Sequence, residues 1–168
     1  MNSNFAEHVL PNGLRVVCET LPGVRSAAVA VLARSGARHE SPPEHGVSHF
    51  LEHMCFKGTA RRTAFEVNVG FDELGSIYNA FTSREHTVYY GWVPAGRIGP
   101  QFELLSDMMR PALPKGEFET ERKVVLEEIK MVEDTPDDLV HELFTEHYWQ
   151  GHPLGRPILG TPDTVSSF

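Results

Sequence analysis

Two histidines bracket one helical turn of chain in His49-Phe50-Leu51-Glu52-His53, and that spacing constrains the fold more than any other feature. Residues four apart lie one above the other on a helix face, so His49 and His53 offer both imidazoles to one ion if the segment is helical. Glu52 follows His49 by three positions and projects to the same side, where it can take a proton from water activated at that ion. Two imidazoles do not complete a metal site. The chain must therefore fold back and bring a further ligand to this face. Pairs of histidines at this spacing also arise by chance, so the surroundings have to decide.

The chain has 168 residues, of which 40% are hydrophobic and 23% charged, an ordinary composition for one domain with a real core. Its formal net charge of −8 argues against a nucleic-acid backbone or an anionic membrane as the main partner. Cys18 and Cys55 are the two cysteines; they form no disulfide framework and no C-x-x-C, which suits a reducing compartment. No apolar run approaches a membrane helix, and the N-terminus shows neither a signal-peptide nor a transit pattern. A cytoplasmic location is expected, unless a targeting segment has already been removed.

Leu10-Pro11-Asn12-Gly13-Leu14 places an Asn-Gly turn between short apolar runs and predicts a β-hairpin. Ser26 to Arg34 is small and apolar throughout, as in a strand covered on both faces. Pro42-Pro43-Glu44 opens the histidine helix, which should end near Lys57-Gly58. Thr63 can cap a helix running to about Leu74, closed by Gly75. Strands are expected over Ile77 to Thr82 and His86 to Val93, then helices over Gly96 to Arg110 and about Lys115 to Asp134. After a break at Thr135-Pro136, a helix from Asp137 to Trp149 leads into a Gly/Pro-rich tail from Gly151. The expected fold class is α+β, a mixed or antiparallel sheet packed against several long helices.

A catalytic zinc usually has three protein ligands and one open position. The segment Lys115 to Asp134 offers Glu117, Glu119, Glu121, Glu127, Glu128 and Glu133. At helix spacing, Glu128 neighbours Glu121, Val124, Val125, Met131 and Val132, an apolar stripe, whereas Glu127 neighbours Lys123, Lys130 and Asp134, a solvated face. Glu121 and Glu128 fall on nearly one line down the helix. Carboxylates on a buried face are costly unless paired or bound to metal. Glu128 is accordingly assigned as third ligand and Glu121 as the carboxylate that orients a ligand imidazole. The competing account is a structural network with Arg or Lys, which would be preferred without the histidine motif.

His45 would stack on the column of His49 and His53, but it stands at the first turn beside Pro42-Pro43 and is not taken as a ligand. His8, His39 and His86 are isolated, and His141, His147 and His152 lack ligand spacing. Cys55 falls opposite His53 and is read as a packed thiol.

These residues resemble a known family. His49-Phe50-Leu51-Glu52-His53-Met54 with Phe56-Lys57-Gly58-Thr59 is similar to the signature of the pitrilysin/insulinase metallopeptidases, closest to their processing-peptidase-like branch. Asn79-Ala80-Phe81-Thr82-Ser83-Arg84-Glu85, Glu121 to Ile129 and His152-Pro153-Leu154-Gly155 agree, so the resemblance covers nearly the whole chain. It implies zinc-dependent cleavage of peptides or unfolded polypeptide segments, with one Zn2+ per chain. By that pattern His49, His53 and Glu128 bind zinc, Glu52 is the general base and Glu121 supports the site. It also implies an exposed strand at Asn79, Ala80 and Phe81, to whose edge a substrate backbone adds. Without the resemblance, Asn79 would be read as a turn or strand-end residue satisfying its own backbone.

Family members resembling this chain are longer, built from two related halves, and the second half supplies an Arg/Tyr pair that no segment here matches. Residues 1–168 are therefore expected to be an N-terminal zinc-binding half-domain that needs a second homologous half or subunit for full activity. A non-catalytic scaffold of the same fold and a structural metal protein with a closed site are the alternatives. The first would have lost motif residues that are all present here. The second would need a fourth ligand that only His45 could offer.

Overall fold

The computed structural model describes residues 4–168. Strands β1 (Asn4–Val9) and β2 (Arg15–Thr20) form the expected antiparallel hairpin, with Asn4 opposite Thr20 and Val9 opposite Arg15. Gly13 turns the chain at φ 85°, a conformation that a Cβ disfavours. Asn12 Oδ1 accepts the Leu14 N–H at 3.1 Å.

A second sheet contains β3 (Ser26–Ala33), β4 (Ile77–Thr82) and β5 (Thr87–Pro94), in the order β3-β5-β4 with both pairings antiparallel. Central β5 carries the buried residues Thr87, Val88, Tyr89, Gly91 and Val93, as β-branched and aromatic side chains favour. Ser26 to Arg34 departs from expectation. Along β3 exposed and half-buried residues alternate, because this outer strand is paired with β5 alone and covered on one face. Its run of alanines and valines reflects helix packing on that single face rather than two covered faces.

Six α-helices complete the α+β architecture: α1 (Val47–Cys55), α2 (Ala64–Glu73), α3 (Ile98–Met108), α4 (Lys115–Asp134), α5 (Pro136–Tyr148) and α6 (Pro162–Ser167). Thr63 and Glu66 cap α2 reciprocally, each side chain taking the other's backbone N–H. Proline at the first position of α5 suits a helix start, where no N–H is needed, and it ends α4 at Asp134 as the sequence predicts. The start of the histidine helix departs from expectation. Pro42–Glu44 forms its own 3-10 turn and α1 begins only at Val47. Within the Gly/Pro-rich tail, Thr161 caps α6 and Pro162 opens it.

Two apolar cores flank α1. Cys55 packs with Val67 and Phe71 of α2, Leu104, Leu105 and Met108 of α3, and Ala80 and Tyr89 of the sheet. Phe50 and Met54 pack instead with Val125 and Ile129 of α4 and Val165 of α6. Burying Phe50 and Met54 contributes about 1.5–3 kcal/mol each, so α1 is clamped between the sheet and α4. That clamp sets the face of α1 against the face of α4. No helix among the described residues is long and apolar enough to cross a membrane.

Candidate metal centre

Helix α1 delivers His49 and His53 one turn apart, with ring centroids separated by 4.6 Å. Helix α4 crosses beside them and carries Glu128. Glu128 Oε2 lies 3.6 Å from His49 Nε2 and 3.5 Å from His53 Nε2. Among the described residues these three form a group whose donor atoms all lie within 4.8 Å of one another.

The donor set fits a zinc ion. With zinc–ligand bonds of about 2.0–2.2 Å, tetrahedral geometry puts neighbouring ligand atoms about 3.3–3.6 Å apart, which matches both spacings from Glu128 to the histidines. Glu128 Oε2 is buried without a hydrogen-bond partner among the described residues, a costly state unless a cation satisfies it. Burial, followed by the neighbouring His53, lowers the His49 pKa to about 4, so this imidazole is neutral at pH 7 and keeps a lone pair to donate.

His53 is oriented from behind. Its Nδ1 stands 3.0 Å from Glu121 Oε2, and a carboxylate there fixes the proton on Nδ1 and leaves Nε2 free as donor. The same carboxylate accepts from Lys57 Nζ through Oε1 at 2.7 Å. Glu121 is 3% exposed, and that burial raises its pKa. The hydrogen bonds from Lys57 and His53 outweigh burial and hold the group below its ordinary value.

Glu52 is buried on the same helix. Burial pushes its pKa up, and a hydrogen bond from Thr82 opposes the shift. Thr82 Oγ1 donates to Glu52 Oε2 at 2.5 Å. One carboxylate oxygen is thereby held. Thr82 itself sits 3.3 Å from Thr87 Oγ1, which bonds the Ser35 carbonyl at 3.0 Å.

Asn79, Ala80 and Phe81 lie on β4, an outer strand that among the described residues pairs only with β5. Asn79 and Phe81 are exposed and Ala80 is buried. Asn79 Oδ1 accepts the Ala80 N–H at 2.9 Å, and Asn79 stands in mid-strand rather than at a turn or strand end.

His45 does not share the column of His49 and His53: it ends the 3-10 turn with φ −57° and ψ 125°, outside the helix. Glu128 does not lie inside the apolar stripe of α4. The buried face runs through Glu121, Val125 and Ile129, whereas the Glu128 side chain is 39% exposed and Val124 and Met131 face solvent. The seven-residue offset from Glu121 places Glu128 at the border of the buried face, where the histidines stand.

Lys57 and Thr82 were not singled out from the sequence. Lys57 lies two residues past the end of α1, so helix spacing alone does not place it beside Glu121. Thr82 shares the inward face of β4 with Ala80 by strand alternation.

The profile of the insulinase family (peptidase family M16) matches residues 15–162. The uncharacterized zinc protease YmxG of Bacillus subtilis is 47% identical over 94% of this chain and 39% of its own length. An uncharacterized zinc protease of Rickettsia bellii is 41% identical over 100% of this chain and 41% of its own. The crystal structure of a protease from Helicobacter pylori superposes with a TM-score of 0.93 at 28% identity, over 99% of this chain and 41% of that one. This chain thus spans about two fifths of the length of these relatives.

Proposed function

The chain belongs to the insulinase family of peptidases, M16, and from that membership we propose that it is the zinc-binding half-domain of a metalloendopeptidase. The observation that carries this reading is the convergence of His49, His53 and Glu128 on one point, with Glu52 on the same helix.

In this reading His49 Nε2, His53 Nε2 and Glu128 Oε2 hold one Zn2+ per chain. Zinc bound there supplies a Lewis acid that polarises a peptide carbonyl and acidifies water. Glu52 accepts a proton from the attacking water and returns it to the leaving amine. Thr82 keeps the Glu52 carboxylate turned toward the site, and the cores around α1 exclude bulk water from behind it. The substrate is a peptide or unfolded segment whose backbone adds to the free edge of β4 at Asn79 to Phe81. A second homologous half or subunit completes the wall around the substrate. The free thiols of Cys18 and Cys55 suit a reducing compartment such as the cytoplasm. Retention of every ligand, of Glu52 and of Glu121 favours catalysis over a scaffold role.

Zinc content tests the metal reading. Wild type should hold about one zinc and His53→Ala and Glu128→Ala should lose it, because a catalytic zinc needs three protein ligands. Glu52→Gln should keep the metal and lower peptide turnover by about 100-fold or more. Equal turnover in Glu52→Gln would refute its role as base.

A further inference from the structure

Helix α1 begins on a glycine. Gly46 adopts φ 94°, and a Cβ there would stand 2.4 Å from the Leu159 carbonyl oxygen. No Ser, Thr, Asp or Asn fits, so α1 cannot carry its own side-chain cap, the device that normally takes up the first free N–H groups. The helix is nine residues long, too short to hold itself together without outside support. His49 is its third residue. A frayed first turn would carry one imidazole away from the other.

The missing cap comes from upstream. Glu40 is 7% exposed, and its carboxylate reaches the start of α1 with both oxygens. Oε2 accepts the Gly46 N–H at 2.8 Å and Oε1 accepts the Ser48 N–H at 2.8 Å. Its negative charge also faces the positive end of the helix dipole. The cap is itself anchored, since Arg156 donates to the Glu40 carbonyl. Thr164 Oγ1 donates to the His45 carbonyl at 2.7 Å, pinning the other end of the connecting segment.

We propose that Glu40 is the remote cap of the metal-site helix and the residue that positions His49. Its consequence for metal rests on the zinc reading above; its geometry does not. Glu40→Gln is the isosteric test. It preserves packing volume, removes the charge and turns one acceptor into a donor facing an N–H. A role in packing alone would survive this change.

Two measurements on the whole chain decide the matter. In zinc-free protein, hydrogen-exchange protection of the Gly46 and Ser48 amides should fall roughly 3–30-fold, as loss of a helix cap implies, while the α3 and β5 amides keep theirs. By chelator competition, zinc affinity should fall roughly 10–100-fold, the usual cost of disturbing a ligand's support. Glu40→Asp, one methylene shorter, should show a smaller loss of both and serves if the Gln variant does not fold. Unchanged protection at Gly46 and Ser48 would overturn the cap. Lost protection with unchanged zinc affinity would overturn the positioning of His49. Wild type that binds no zinc would sink the metal reading, and the exchange result would still decide the cap.

Discussion

Replacing Glu121 by Gln separates the two jobs of one buried carboxylate. The wild-type oxygens serve Lys57 Nζ at 2.7 Å and His53 Nδ1 at 3.0 Å. Glutamine keeps one acceptor and places an amide N–H2 against a donor on the other side. Each charge-assisted bond contributes about 1.5–3 kcal/mol, but the Lys57 side chain is 29% exposed and can turn to water. The net loss of stability should be about 1–3 kcal/mol. For a chain of this size it lowers Tm by roughly 2–4 °C per kcal/mol. The metal effect is separate. Without a fixed Nδ1 proton, His53 loses its enforced donor tautomer, and zinc affinity should fall roughly 10–100-fold. Lys57→Met is the control: it removes one partner of Glu121 but leaves the His53 hydrogen bond. Both variants should unfold at lower temperature in calorimetry, whereas only Glu121→Gln should lose zinc in a chelator titration. Equal zinc affinity in Glu121→Gln and wild type would refute the orienting role. Equal losses in both variants would show that stability alone governs the site.

Two further outcomes follow from the structure. Gly46→Ala meets a backbone oxygen at 2.4 Å in a left-handed conformation, so thermal unfolding should show a loss of about 2–4 kcal/mol; an unchanged Tm would contradict the close approach to Leu159. Asp107 is buried, and burial raises its pKa, yet hydrogen bonds from Arg61, Arg62 and Thr59 outweigh that and lower it. A lowered folded pKa means stability that is full above the unfolded value of about 4 and lost as pH falls through the folded value. Urea titrations should therefore find Asp107→Asn weaker by about 1–3 kcal/mol at pH 7, with the gap closing below pH ~4; a gap that widens on acidification would contradict the ion network.

Helix boundaries set by local chemistry were legible in the chain. Thr63 announces α2, and Pro136 separates α4 from α5 at the expected residue. Asn12-Gly13 marks the hairpin. Burial was less legible, because it depends on neighbours that a periodic pattern does not name. The valines of β3 suggested two covered faces, although the strand has one. The apolar residues around Glu128 suggested a buried stripe, although Val124 and Met131 face solvent. What placed Glu128 at the histidines was its seven-residue offset from Glu121, a local distance along one helix.

By itself, the sequence determined the spacing: His49, Glu52 and His53 on one helical face, and Glu121 and Glu128 along one line of another. Helix geometry is a property of the backbone, so spacing alone fixes which side chains share a face. Only the tertiary structure decided that the two faces meet, that Lys57 and Thr82 hydrogen-bond the carboxylates of Glu121 and Glu52, and that Glu40 accepts the Gly46 N–H six residues away. Those contacts arise from how α1 packs between the sheet and α4, and packing is settled by the whole core rather than by any one segment.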